Sequence, residues 1–281
     1  MLMRNDVDIL IVPDVHGRSF WREPVKEVLE KLDTNTKIVF LGDYVDPYID
    51  EFIPQMEDDV TFDYQKNAIV VLNDIIDLKY KFPNNIILLL GNHDCGYCIG
   101  EDICTCRRDR MNANVITEIF KENRNIFQLA YQEIIDGKNF IFSHAGISTN
   151  FINWSYGEMD KDKIVDFLNE MWYVNDERKL NYLGVYDSYR GYSFTEWASP
   201  IWADIRQMYK LTKENTIGDF QVVGHTQLPT DGNPYISDYI GDFDCRECFY
   251  IDTKGNIRNY KDFSKIIVPK SFKYSSTFIK K

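Results

Sequence analysis

A chain of 281 residues, 44% of them hydrophobic and 15% aromatic, can bury a sizeable core, which excludes an intrinsically disordered protein. Its formal net charge of −12 sets most of the surface against a polyanionic partner, so duplex nucleic acid is not an expected ligand. No apolar stretch approaches the ~18 residues that cross a bilayer, and the first apolar run, after Asp6 and Asp8, is too short for a secretory signal, so a cytoplasmic chain with no membrane partner is the expectation.

Residues 7–13 form an Ile- and Val-rich run that reads as a buried strand. A helical pattern over 22–32 follows, with Val25, Val28, Leu29 and Leu32 on one face. The next strand is 36–41. After it, 47–62 is acidic and without period, as an inserted loop would be. Residues 64–82 carry Ala68, Ile69, Leu72, Ile75, Ile76 and Leu78 at helical spacing, and 86–90 is a third strand. Helices are expected over 112–123 and 161–172. Between them Asp136-Gly137 separates Phe127–Ile135 from the strand at 138–143 and signals a hairpin. A stretch rich in Tyr, Asn, Gly and Ser, 173–199, reads as a second loop insertion, and 219–224 as a fifth buried strand. Short strands end the pattern: Glu247–Asp252, a turn at Thr253-Lys254-Gly255-Asn256, then Ile257–Tyr260. Strand–helix–strand alternation, with no internal repeat and no linker, predicts a single α/β domain over 1–281.

The four histidines all follow these apolar runs. His16 lies in Pro13-Asp14-Val15-His16-Gly17, His93 in Gly91-Asn92-His93-Asp94, His144 in Ser143-His144-Ala145-Gly146 and His225 in Gly224-His225-Thr226-Gln227. A fifth strand end has the same grammar without histidine: Gly42-Asp43-Tyr44-Val45-Asp46. Imidazole is the commonest metal ligand and the usual proton carrier near neutral pH, so one shared site is the economical reading. Asp14 and His16 are two apart, and on an extended segment they point the same way. Asp43, Asn92, His144 and His225 leave the other strands, where an open α/β sheet collects its ligands. Six nitrogen and oxygen donors without thiolate suit two divalent ions such as Mn, Fe or Zn.

These five blocks, in this order, resemble those of calcineurin-like metallophosphoesterases. Gly42-Asp43-Tyr44-Val45-Asp46 and His144-Ala145-Gly146 lean toward the phosphoprotein (Ser/Thr) phosphatase branch, as does Ser199-Pro200-Ile201-Trp202-Ala203-Asp204. The resemblance runs from residue 7 to about 227 and implies a two-layered mixed β-sandwich flanked by helices. It also implies that Asp14, His16 and Asp43 hold one metal, Asp43 bridging to a second completed by Asn92, His144 and His225. His93, oriented by Asp46, would be the general acid for hydrolysis of a phosphomonoester on a phosphorylated substrate, with in-line attack by a metal-held hydroxide and no phosphoenzyme. Hydrolysis of nucleotides or dinucleoside polyphosphates is the second reading. A non-catalytic binding module on the same fold is the third, although such a module should have lost ligands, and all six are present with His93.

The chain departs from the branch at Pro47-Tyr48, where the resemblance calls for Arg-Gly and a guanidinium that grips the phosphate. Arg190 is the first candidate for that contact, with Arg18 or the cluster Arg107, Arg108 and Arg110 as substitutes. Cys95-x2-Cys98, Cys104-x-Cys106 and Cys245-x2-Cys248 have the spacing of a structural zinc site or are simply small buried residues.

Overall fold

The computed structural model describes residues 7–30, 36–48, 64–100, 106–190, 195–228 and 233–266. The expected acidic insertion at 47–62 and Cys104 lie mostly or wholly outside them. Two mixed sheets face each other. The first has the order β11-β10-β1-β2-β3-β4 and the second β5-β6-β7-β9-β8. In chain order the strands are β1 Val7–Val12, β2 Lys37–Phe40, β3 Ile86–Leu89, β4 Phe127–Gln128, β5 Ala130–Ile135, β6 Lys138–Ser143, β7 Phe220–Val223, β8 Tyr235–Ile236, β9 Ile240–Asp242, β10 Phe249–Asp252 and β11 Ile257–Asn259. The helices used below are α1 Arg22–Glu30, α2 Tyr64–Lys81, α3 Asn92–Cys98, α4 Ala113–Glu122, α5 Thr149–Tyr156, α6 Ile164–Tyr173, α7 Glu177–Leu180 and α8 Ile205–Met208.

The period of two in each strand divides its side chains between two cores. Ile9 and Ile11 of β1, Val39 of β2 and Leu89 of β3 meet Phe140 and Phe142 of β6, Val222 of β7 and Phe249 of β10 in the layer between the sheets. Leu10 and Val12, Ile38 and Phe40, and Ile86 and Leu88 face the other way, onto Val25 and Val28 of α1 and Leu72 and Ile75 of α2. Each such fully buried aliphatic or aromatic side chain contributes about 1.5–3 kcal/mol. β1, β2 and β3 are mutually parallel, and so are β6 and β7. Their carboxyl ends therefore gather at one rim, where the sequence places its histidines.

The run read as one strand, Phe127–Ile135, is two. Phe127 and Gln128 extend the first sheet beside β3, and Ala130 onward pairs antiparallel with β6 in the second. The change of sheet falls at buried Leu129, whose backbone N–H is taken, with that of Ala130, by the Asn169 side chain from α6. The Asp136-Gly137 hairpin forms with both residues at positive φ, as a tight two-residue turn requires. The segment 173–199 is not simply a loop: α7 and a 3-10 turn at Asn181–Gly184 lie within it, and Leu180 and Leu183 are buried in the helix-side core. Asp176 caps α7 by accepting from Lys179 N, a signal that the Tyr- and Asn-rich composition obscures. No helix among the described residues is long and apolar enough to cross a membrane.

Candidate metal and phosphate site

Five strand ends bring Asp14, His16, Asp43, Asp46, Asn92, His93, His144 and His225 together, all buried. Asp14 and His16 follow β1, Asp43 and Asp46 follow β2, Asn92 and His93 open α3 after β3, His144 follows β6 and His225 follows β7. The backbone there is strained. His16, Asp43, Asp46 and His225 all have positive φ, at 45°, 52°, 58° and 72°, a conformation that L-residues with side chains rarely hold away from functional turns. Two glycines explain how the carboxylates fit. A Cβ on Gly91 would lie 2.0 Å from Asp43 Oδ1, and one on Gly224 would lie 2.1 Å from Asp14 Oδ1.

The imidazoles are oriented by carbonyls. His16 Nδ1 donates to Val45 O at 2.7 Å and His144 Nδ1 donates to Leu41 O at 2.8 Å. A carbonyl only accepts, so in the neutral ring Nε2 of each carries a bare lone pair. His16 Nε2 faces Asp43 Oδ2 at 3.5 Å. His144 Nε2 faces Asp43 Oδ2 at 3.5 Å, Asn92 Oδ1 at 3.0 Å and His225 Nδ1 at 3.1 Å. Burial, first, and neighbouring positive charge hold His16 and His225 well below the ordinary imidazole range, and burial holds His144 below it too. Lone pairs of neutral rings and a buried carboxylate thus converge on common points, which is the donor set a divalent cation satisfies. His16 with Asp43 and His93, and Asp43 with His144 and His225, form two groups whose ligand atoms lie within 4.8 Å of one another, sharing Asp43. Asp14 lies outside both groups. Its carboxylate accepts from His225 N at 3.1 Å and stands 3.9 Å from His144 Nδ1. Burial, then the charges of Asp244 and Asp43, push the Asp14 carboxyl up, so this corner also calls for positive charge.

His93 is held differently. Its Nδ1 meets Asp46 Oδ2 at 2.7 Å, and Asp46 Oδ1 accepts from the Tyr97 hydroxyl at 2.5 Å and from Asp109 N at 3.0 Å. Burial favours the neutral ring, but the Asp43 charge and the Asp46 hydrogen bond outweigh it and hold the His93 imidazole well above its ordinary value. A protonated ring with one nitrogen committed and the other beside the cluster can act as a proton donor.

A family model for calcineurin-like phosphoesterases matches residues 7–255. The chain belongs to this family. As a calcineurin-like phosphoesterase it is a hydrolase acting on phosphoester bonds. A solved structure of a point mutant of a cold-active protein tyrosine phosphatase is similar to it over 90% of this chain and 80% of that one, with a TM-score of 0.51 and 13% identity, which shows the shared fold. A serine/threonine phosphatase from Saccharomyces cerevisiae with similarity to human phosphatase PP5 covers 97% of this chain and 82% of its own at 16% identity and TM-score 0.47. A structure assigned as a diadenosine tetraphosphatase covers 94% of both chains at 13% identity and TM-score 0.37. No curated protein sequence gives a match.

Within this phosphoesterase the two arginines expected at the substrate lie on opposite sides of the cluster. Arg18 donates to Asp14 O at 3.3 Å, on the His16 side, and Arg190 donates to Thr226 Oγ1 at 3.1 Å, on the His225 side. The tryptophan block braces both late histidines. Pro200 O accepts from Ala145 N, and the Trp202 ring packs edge-on against His225 at 5.6 Å. The cysteine pairs do not gather into a site of their own among the described residues. The thiol found in a metal-type group is Cys106, beside Asp46 and His93. Several residues here are not marked by the sequence. Asp94 stands out there only as part of its block, yet it accepts from the backbone N–H groups of Asp43, Tyr44 and Gly91 and so ties two strand ends together. Tyr97, Asp109 and Asp244 carry no motif, and Cys106 is marked only as part of Cys104-x-Cys106. Only their position against Asp46, His93 and Asp14 reveals them.

Proposed function

We propose that this chain hydrolyses a phosphomonoester, with a phosphorylated Ser or Thr side chain as the substrate class, at the rim where the two sheets meet. The observation that carries this reading is the shared position of Asp43, whose Oδ2 faces the bare nitrogens of both His16 and His144, with the His93–Asp46 pair alongside. Asp14, His16 and Asp43 would hold one divalent ion, and Asp43, Asn92, His144 and His225 a second, with manganese first and iron or zinc as alternatives. When bound, such a pair supplies Lewis-acid charge that polarises a phosphoryl group and lowers the pKa of water. The side chains do the rest. Asp46 fixes the Nδ1 proton of His93, Tyr97 and Asp109 fix Asp46, and His93 Nε2 delivers a proton to the leaving oxygen. The Asp43 carboxylate also receives the His93 backbone N–H at 2.9 Å, which locks the acid to the cluster.

The test is a screen of manganese-loaded protein against phosphopeptides, p-nitrophenyl phosphate, nucleotides and dinucleoside polyphosphates, with Asp43→Asn as control. Turnover of phosphopeptides that is lost in the variant is the expected result. Preference for dinucleoside polyphosphates would move the assignment to that second class, and full activity of Asp43→Asn with unchanged metal content would remove the site.

A further inference from the structure

Three guanidinium groups stand near enough to bear on the imidazoles of the cluster, and they are held in different ways. Arg190 lies beside His225. Its Nε is 3.0 Å from Asp204 Oδ2, and its other donors go to Thr226 Oγ1 and, at 3.5 Å, to His225 O. Asp204 is fully buried, so this charge is neutralised where it stands. Arg107 and Arg18 lie on the His16 side. The Arg107 guanidinium stacks over the Tyr48 ring at 3.7 Å, and its Nη1 donates to Pro47 O at 2.5 Å. Arg18 approaches the same ring at 5.7 Å. Tyr48 in turn meets the His16 ring edge-on at 5.1 Å, and His16 meets His93 at 5.0 Å. Among the described residues Arg107 meets a ring and a carbonyl, not a carboxylate.

We propose that Arg107, seated on Tyr48 and joined by Arg18, is the grip for the substrate phosphate, and that Arg190 is a positioning residue for the His225 segment. This rests on the phosphoesterase reading above and deepens it. In that reading the metal pair polarises the phosphoryl group, and a planar cationic donor at the mouth of the site would hold the remaining oxygens of the dianion. A guanidinium stacked on a ring keeps all its N–H groups in one plane. One of them holds Pro47 O, and Arg107 as a whole is exposed. Tyr48 sets that plane one ring away from His16. Pro47 offers the anchor through its carbonyl alone, and the cation comes from 60 residues further along the chain. Arg190 lacks this freedom because displacing it would leave Asp204 buried with one partner fewer.

The experiment titrates manganese-loaded protein with inorganic phosphate by calorimetry and measures KM for p-nitrophenyl phosphate in parallel. Arg107→Ala should weaken phosphate binding and raise KM by about tenfold or more, the size expected for a charge-assisted hydrogen bond, with bound manganese and Tm unchanged. Arg107→Lys should recover little of this, because an ammonium has no planar fork. Tyr48→Leu should reproduce part of the loss, and Arg190→Ala should lower Tm and bound manganese by loosening the His225 segment, with any change in phosphate affinity following the lost metal. Parent-like phosphate affinity in Arg107→Ala, or a loss seen only in Arg190→Ala, overturns the assignment. The titration reads the grip whether or not any ester is turned over. Failure of the function reading therefore appears in the parent's substrate screen, and failure of this one in the variants' phosphate affinities.

Discussion

Both carboxylate oxygens of Asp46 are engaged: one takes His93 Nδ1, and the other takes a tyrosine hydroxyl and a backbone N–H. In the proposed mechanism it orients the ring. That arrangement makes a leaving-group dependence the clearest signature of His93. His93→Ala should keep its bound manganese but lose roughly 10²–10⁴-fold in rate on a phosphoserine peptide, whose alkoxide needs a proton. On p-nitrophenyl phosphate, whose leaving group needs none, the loss should be far smaller. Comparing kcat for the two substrates reads this directly, and equal losses would argue against a proton donor. The residue types of this pair were legible in the chain, as Asp46 and His93 stand in recognisable blocks. Their supports Tyr97 and Asp109 were not, because a hydroxyl and an amide acquire meaning only from what they touch, and Cys106 was legible only as one of the paired cysteines.

Among the elements, the turn between β10 and β11 was expected from Thr253-Lys254-Gly255-Asn256, but what holds it was not. Asp252 is fully buried and accepts from Lys254 N at 3.0 Å, Asn256 N at 2.8 Å and Arg258 Nε at 2.6 Å. Burial works against its charge, yet the hydrogen bonds from Asn256 and Arg258 outweigh it and hold the carboxyl below its usual range. A depressed folded-state value means that the stabilisation is complete above the unfolded value of about 4 and is lost as pH falls through the folded value. Asp252→Asn should cost about 1–3 kcal/mol near neutral pH. Its urea midpoint should fall less than the parent's between pH 5 and pH 3, and an identical pH slope for both proteins would show that the carboxylate is not the sensitive group. The division of Phe127–Ile135 between two sheets was illegible for a related reason. Both halves are apolar strands in sequence, and the change of partner depends on Asn169, which lies on a distant helix.

For the molecule as a whole, the candidate site is also a joint. Asp14, His16, Asp43 and Asn92 follow strands of the first sheet, whereas His144 and His225 follow strands of the second. Cations held between them would bind the folded state alone and tie the sheets together. At a metal concentration a hundredfold above Kd that linkage amounts to about 2.7 kcal/mol, roughly 5 °C in Tm for a chain of this size. Calorimetric scans in manganese and in chelator should differ by that order, and coincident scans would mean that the six donors do not bind as one site.

The sequence by itself determined which chemical groups stand at which strand ends, because each strand is a local apolar run and each block follows directly on it. The glycines of those blocks stand in the sequence, but the reason for two of them, the close approach of Asp43 to Gly91 and of Asp14 to Gly224 that excludes any Cβ, belongs to the tertiary structure. Only the tertiary structure decided which strands share a sheet, how β10 returns to pair with β1, and which arginine meets Tyr48. Those pairings join segments many residues apart. Their energies come from burial and from directed hydrogen bonds between those segments, and no local periodicity encodes them.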